Sequence, residues 1–112
     1  MKNRKIAGEL KTTGQQGDVT MRVVEIDLIP ELAKSPDKIV RHGEATGHCH
    51  EVEGDIDLYF YGDKVLGVVG DGGATLLHEE HEAWTLPTGK TVEFGPTYEW
   101  DYDTSEKKMV MD

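Results

Sequence analysis

From Val19 onward the chain is built of short runs in which apolar and polar residues alternate, each run broken by glycine or proline. Alternation with a period of two marks strands that bury one face. Over residues 19–29, Val19, Met21 and Val23 fall on one face and Val24, Ile26 and Leu28 on the other. This change of phase predicts a bulge or burial on both faces. Pro30 stops the run, residues 30–37 have room for a single helical turn between two prolines, and residues 38–42 read as a short strand. Residues 55–61 direct Ile56, Leu58 and Phe60 inward, and Gly62-Asp63 turns them back into residues 64–69 as a hairpin.

Gly70-Asp71-Gly72-Gly73 predicts another turn, followed by strands over 74–78 and 81–86, a Pro87-Thr88-Gly89 turn, a strand over 90–94 and a last hairpin over 98–111. Residues 1–17 are polar and are expected to form a mobile arm, with one short strand near 6–10, leaving a single β domain over 18–112. The fold class is all-β, a small single-domain barrel or sandwich.

Composition narrows the partners. With 22 acidic against 12 basic residues, the net charge of −10 repels phosphate backbones, and the short basic run Lys2, Arg4, Lys5 does not reverse it. Nucleic acid is not expected as a partner, and cations are attracted. The one cysteine, Cys49, cannot close an internal disulfide, and no apolar run suits a signal or a membrane span, so a reducing cytoplasm is the expected compartment. At 112 residues a domain buries enough surface to fold without a metal, so a bound metal is expected to be functional.

Four of the five histidines fall in two pairs, His48-Cys49-His50 and His78-Glu79-Glu80-His81. On a strand His48 and His50 point to one face while Cys49 turns away, and the second pair follows 28 residues later, far enough for a hairpin to return it. Imidazole nitrogens suit a divalent transition metal such as Zn, Fe, Ni, Mn or Cu. The expected ligands are His48, His50 and one or both of His78 and His81, with Asp55, Glu51 or Glu53 as an acidic ligand or orienting partner. If Glu79-Glu80 is a tight corner, His78 and His81 face each other across strands; a bulged strand is the alternative. The spacing of three is not the four required by the helical H-E-x-x-H motif. The bland alternative is a solvated polar face, with Glu79, Glu80 and Glu82 part of it, although one of these carboxylates could instead ligate a metal or orient a histidine. Cys49 reads as a small buried residue rather than a nucleophile, and the aromatics Tyr59, Phe60, Tyr61, Trp84, Phe94 and Trp100 as core.

His48-Cys49-His50, then four residues, Asp55, six residues and Gly62 resemble the first motif of the cupin superfamily with aspartate in place of glutamate, and Pro87-Thr88-Gly89 is similar to its second. The resemblance spans residues 48–92 and implies a small barrel holding a divalent metal. It departs where the family's final histidine would stand, because that position is Val92. Gly-Glu-x-Thr-Gly-His-x-His and Leu-x-His-Glu-Glu-His also resemble stretches of small uncharacterised bacterial or phage-encoded proteins. Two functions are compatible with these features. One is a metal-binding domain, possible as an enzyme on a small-molecule ligand; the other is a non-catalytic phage-associated accessory protein or oligomeric binding module. Exposed strand edges make a homodimer the expected assembly.

Overall fold

The computed structural model describes residues 2–26, 31–42, 48–96, 98–101 and 106–109. The regular elements among them are strands: β1 (Ile6–Glu9), β2 (Thr13–Gln16), β3 (Val19–Val24), β4 (Ile39–His42), β5 (Cys49–Tyr61), β6 (Lys64–Leu77), β7 (Ala83–Leu86), β8 (Thr91–Pro96), β9 (Tyr98–Asp101) and β10 (Glu106–Met109). Eight of them join in one curled mixed sheet, a half-barrel, and β9 and β10 form a separate antiparallel pair. Among the described residues no helix is long and apolar enough to cross a membrane.

The long hairpin of β5 and β6 is the spine. Along one edge β6 serves two neighbours in turn, with residues 65–68 pairing to β8 and residues 74–76 to β7, while β5 occupies its other edge. The period-two pattern places Val52, Ile56 and Leu58 of β5 and Leu66, Val69 and Leu76 of β6 in the interior. There they meet Val92 and Phe94 of β8, Val19 and Met21 of β3, and Leu10. Full burial of each such side chain contributes about 1.5–3 kcal/mol before the entropy of ordering is subtracted.

The segment expected as a mobile arm carries β1 and β2, which lie at the two ends of the strand order β1-β7-β6-β8-β3-β2. Its Leu10 is only 1% exposed, and its Gln16, at the end of β2, is buried as well. An apolar residue and a hydrogen-bonded amide inside the protein tie the segment to the sheet. β1 runs parallel to β7 and is the parallel pair of an otherwise antiparallel sheet among the described residues.

Two local expectations change. Residues 70–73 are not a turn, because β6 passes through them, and the pairing steps from Gly54↔Ala74 to Ile56↔Val69 across a bulge. Gly54 and Gly73 take φ of 109° and 76°, which absorbs the extra residues without reversing the chain. Phe60, expected inward, is 50% exposed; it lies beside the Gly62-Asp63 turn, where the inward face of β5 has already ended at Leu58. Of the strand predicted over 19–29, residues 19–24 form β3 and residues 25–26 are not strand, and residues 27–30 and 43–47 lie outside the described residues. The hairpin expected near the end is formed by β9 and β10.

Candidate metal centre

Strand register explains why the two histidine pairs meet. Glu51 pairs with Leu77 at the end of the β5–β6 ladder, so His50 and His78 stand one step beyond it, opposite each other. Their ring centroids are 4.5 Å apart. His48 approaches His78 edge-on at 5.6 Å, and His81 lies 4.6 Å from His78 and 6.3 Å from His50. All four rings thus form one cluster. The bend at residues 79–81 is held by His78 itself, whose Nδ1 accepts the backbone N–H groups of Glu80 at 3.0 Å and His81 at 3.3 Å. With Nδ1 an acceptor, a neutral His78 carries its proton on Nε2.

His50 has a different role from the one expected. It is 1% exposed, and both ring nitrogens meet acceptors. Nδ1 is 2.8 Å from Gln16 Oε1 and Nε2 is 2.7 Å from Asp18 Oδ1. The orientation of Gln16 is fixed, because its Nε2 donates to the carbonyls of Leu76 at 3.1 Å and Glu82 at 2.9 Å. Two acceptors require two N–H donors, so His50 is an imidazolium paired with a buried carboxylate, and neither nitrogen offers a lone pair to a metal. The other Asp18 oxygen, Oδ2, accepts from Arg41 Nε at 2.8 Å. Burial would push the Asp18 carboxyl up, but the bonds from Arg41 and His50 outweigh it and hold it below the usual carboxylate range.

The residues that could hold a metal ion are His48, His78 and Glu79, which each offer an atom within 4.8 Å of the others. His48 Nδ1 also lies 3.3 Å from Glu80 Oε1. Glu79 sits close to the Lys2 ammonium at 2.9 Å and accepts the Cys49 backbone N–H at 3.3 Å. Desolvation would raise its carboxyl, yet the Lys2 hydrogen bond and the amides of Glu79 and Cys49 pull it down to about 2. It is therefore an anion throughout the physiological range.

The expected acidic partners lie elsewhere. Asp55 stands in the β5–β6 bulge, where its Oδ2 accepts the Gly72 N–H at 3.1 Å and its carboxylate fills the space above Gly70 that a Cβ would need. It is therefore a clamp on the bulge. Glu53 makes a two-pronged pair with Arg4 at 2.9 and 3.0 Å on the surface, and Glu51 pairs in the ladder opposite Leu77. His81 lines a shallow open cavity of about 200 Å³ with Gln15, Gln16 and Trp84. Val92, at the position of the missing family histidine, is fully buried in the core.

Gln16, Asp18, Arg41 and Lys2 had no local signal in the sequence: Gln16 and Asp18 reach His50, Arg41 reaches Asp18, and Lys2 reaches Cys49 and Glu79, each from another part of the chain. Glu79 was visible as one of three carboxylates, with Glu80 and Glu82, any of which could ligate a metal or orient a histidine.

A family model described as a domain of unknown function (DUF8820) matches residues 15–92. No curated protein and no solved structure matches the chain.

Proposed function

The chain belongs to the DUF8820 family, and we propose that it is a divalent-metal-binding domain whose ion is held by His48, His78 and Glu79. The observation that carries this is the convergence of two imidazoles and one carboxylate within 4.8 Å. Bonds of about 2.0–2.2 Å put the ligand atoms of a tetrahedral ion roughly 3.4 Å apart, so small side-chain rotations suffice. Three protein ligands would leave a position for an oxygen or nitrogen donor from a small molecule. The half-barrel is compatible with a cupin-like arrangement, with Glu79 contributing in place of the displaced histidine.

Binding in this scheme is coupled to protons. The proton on His78 Nε2 must leave, or cross to Nδ1 at the expense of the two amide bonds from Glu80 and His81. Affinity should therefore fall steeply from about pH 7 to pH 5, the range in which imidazole protonates.

Calorimetric titration with Zn²⁺ and Ni²⁺ tests the assignment. One ion should bind per chain, and His48→Ala and His78→Ala should each abolish binding, while His42→Ala leaves it intact. Equal binding by all these proteins would refute the site. A second, non-catalytic reading, as an accessory or binding module, is favoured by His50, because a histidine saturated by Gln16 and Asp18 serves the fold. In that case no stoichiometric ion binds and only stability changes on substitution.

A further inference from the structure

The strand pairings that complete the histidine cluster also deliver a cation to it. The Asn3 N–H donates to the His78 carbonyl at 2.8 Å, and Asn3 Nδ2 donates to the Glu80 carbonyl at 3.2 Å. Two residues on, the Ala83 N–H donates to the Lys5 carbonyl at 2.7 Å, and β1 then continues alongside β7. Residues 2–5 are thereby strapped across the bend that carries Glu79.

An ammonium has three N–H donors. Lys2 Nζ has three acceptors within reach: Glu79 Oε1 at 2.9 Å, the Cys49 carbonyl at 3.1 Å and Cys49 Sγ at 3.5 Å. Its side chain is only 19% exposed, so this is a built position rather than a passing surface contact. The carboxylate it neutralises belongs to the trio proposed to hold the metal.

We propose that Lys2 is a tethered competitor for the cation site: the amino-terminal strap holds an ammonium on Glu79, and a divalent ion must displace it to use that carboxylate. This rests on the site proposed above. An ammonium and a divalent ion on one carboxylate repel each other at a separation of a few ångströms, where little water can intervene to screen them. Because the ammonium is part of the chain, it does not diffuse away, and its effective concentration at Glu79 stays high. The strap thus sets a threshold: weakly binding ions are excluded, and loosening residues 2–5 raises affinity.

The test compares wild type with Lys2→Leu, which removes the charge and adds no ligand atom, and with Lys2→Arg, which keeps the charge. Zn²⁺ and Ni²⁺ dissociation constants are measured by calorimetry at low salt, with melting curves to verify folding. Since Lys2→Leu removes the charge-assisted hydrogen bond that a divalent ion must displace, it should bind about tenfold or more tightly, and Lys2→Arg within about threefold of wild type. Independently, acylation of Lys2 by an active ester, followed by mass spectrometry and normalised to Lys90, should accelerate when wild type is saturated with metal. Binding by Lys2→Leu with none by wild type would also support the competitor. If wild type and Lys2→Leu bind equally and acylation is unchanged, the competitor is overturned and the cation site stands. If neither protein binds metal, both the site and the competitor are overturned.

Discussion

Replacing Asp18 by alanine would remove the buried carboxylate that meets His50 Nε2 at 2.7 Å and Arg41 Nε at 2.8 Å. Asp18 is 2% exposed and His50 1%, so water reaches neither readily. Removing one partner of a buried ion pair costs about 3–5 kcal/mol. His50 has one way to reduce that cost, which is to shed the Nε2 proton while keeping the Nδ1–H bond to Gln16. The expected loss at pH 7 is therefore about 2–4 kcal/mol, a substantial part of the roughly 5–15 kcal/mol that holds a domain together. At about 4 °C per kcal/mol the melting point should drop by roughly 10–15 °C.

Urea unfolding of wild type and Asp18→Ala at pH 7, 5 and 3 provides the assay. The folded carboxyl is held below its ordinary range, so its stabilisation is complete above the unfolded value and is lost as pH falls through the folded one. The gap should widen from pH 7 to 5, where keeping His50 neutral in the variant becomes more costly, and narrow at pH 3 as the Asp18 carboxyl protonates. A difference under about 0.5 kcal/mol at pH 7, the usual scatter of a surface change, would refute the buried pair. So would a gap that stays constant down to pH 3.

The same logic applies to Glu79, whose carboxyl is held at about 2: wild type should lose its advantage over Glu79→Gln as pH falls from about 4.5 toward 2, measured by thermal melts. Gly67→Ala should destabilise by about 1–3 kcal/mol in denaturant titration, because its Cβ would lie 2.7 Å from Ile56 Cδ1 and 2.8 Å from Phe94 Cε2. Gly54→Ala should cost at least as much, since it adds a positive φ of 109° to a 2.5 Å approach to the Gly73 carbonyl; a neutral result would place the bulge elsewhere. Chelator treatment should leave the protein folded by circular dichroism, and complete unfolding would make the metal structural rather than functional.

Much of the fold was legible because period-two alternation is a local property. The β5–β6 hairpin, the turns at Gly62 and Gly89, and the final hairpin could be read from neighbouring residues. The approach of the two histidine pairs was also legible, since intervening strands that fold back are enough to produce it. What escaped were features set by distant partners. Gly70-Asp71-Gly72-Gly73 has turn chemistry, yet Asp55 across the ladder turns it into a bulge. His50 looks like any ligand in an H-x-H pair, and only Gln16 and Asp18, 34 and 32 positions away, make it a cation instead.

The parallel contact of β1 with β7 bears on how the molecule is made. The β5–β6 hairpin closes a short loop, and such pairings form within microseconds. Ile6 must find Ala83 across most of the chain, and entropy delays contacts of that span until nearer ones are in place. His50 on β5 and His78 just past the end of β6 should therefore come together early, and the strap bearing Lys2 should arrive last. During synthesis and refolding there is then an interval in which the cluster exists without its ammonium. A divalent ion present at that moment meets no competitor, so metal supplied during refolding should load faster than metal added to the finished protein. The order of assembly would govern occupancy as much as affinity does.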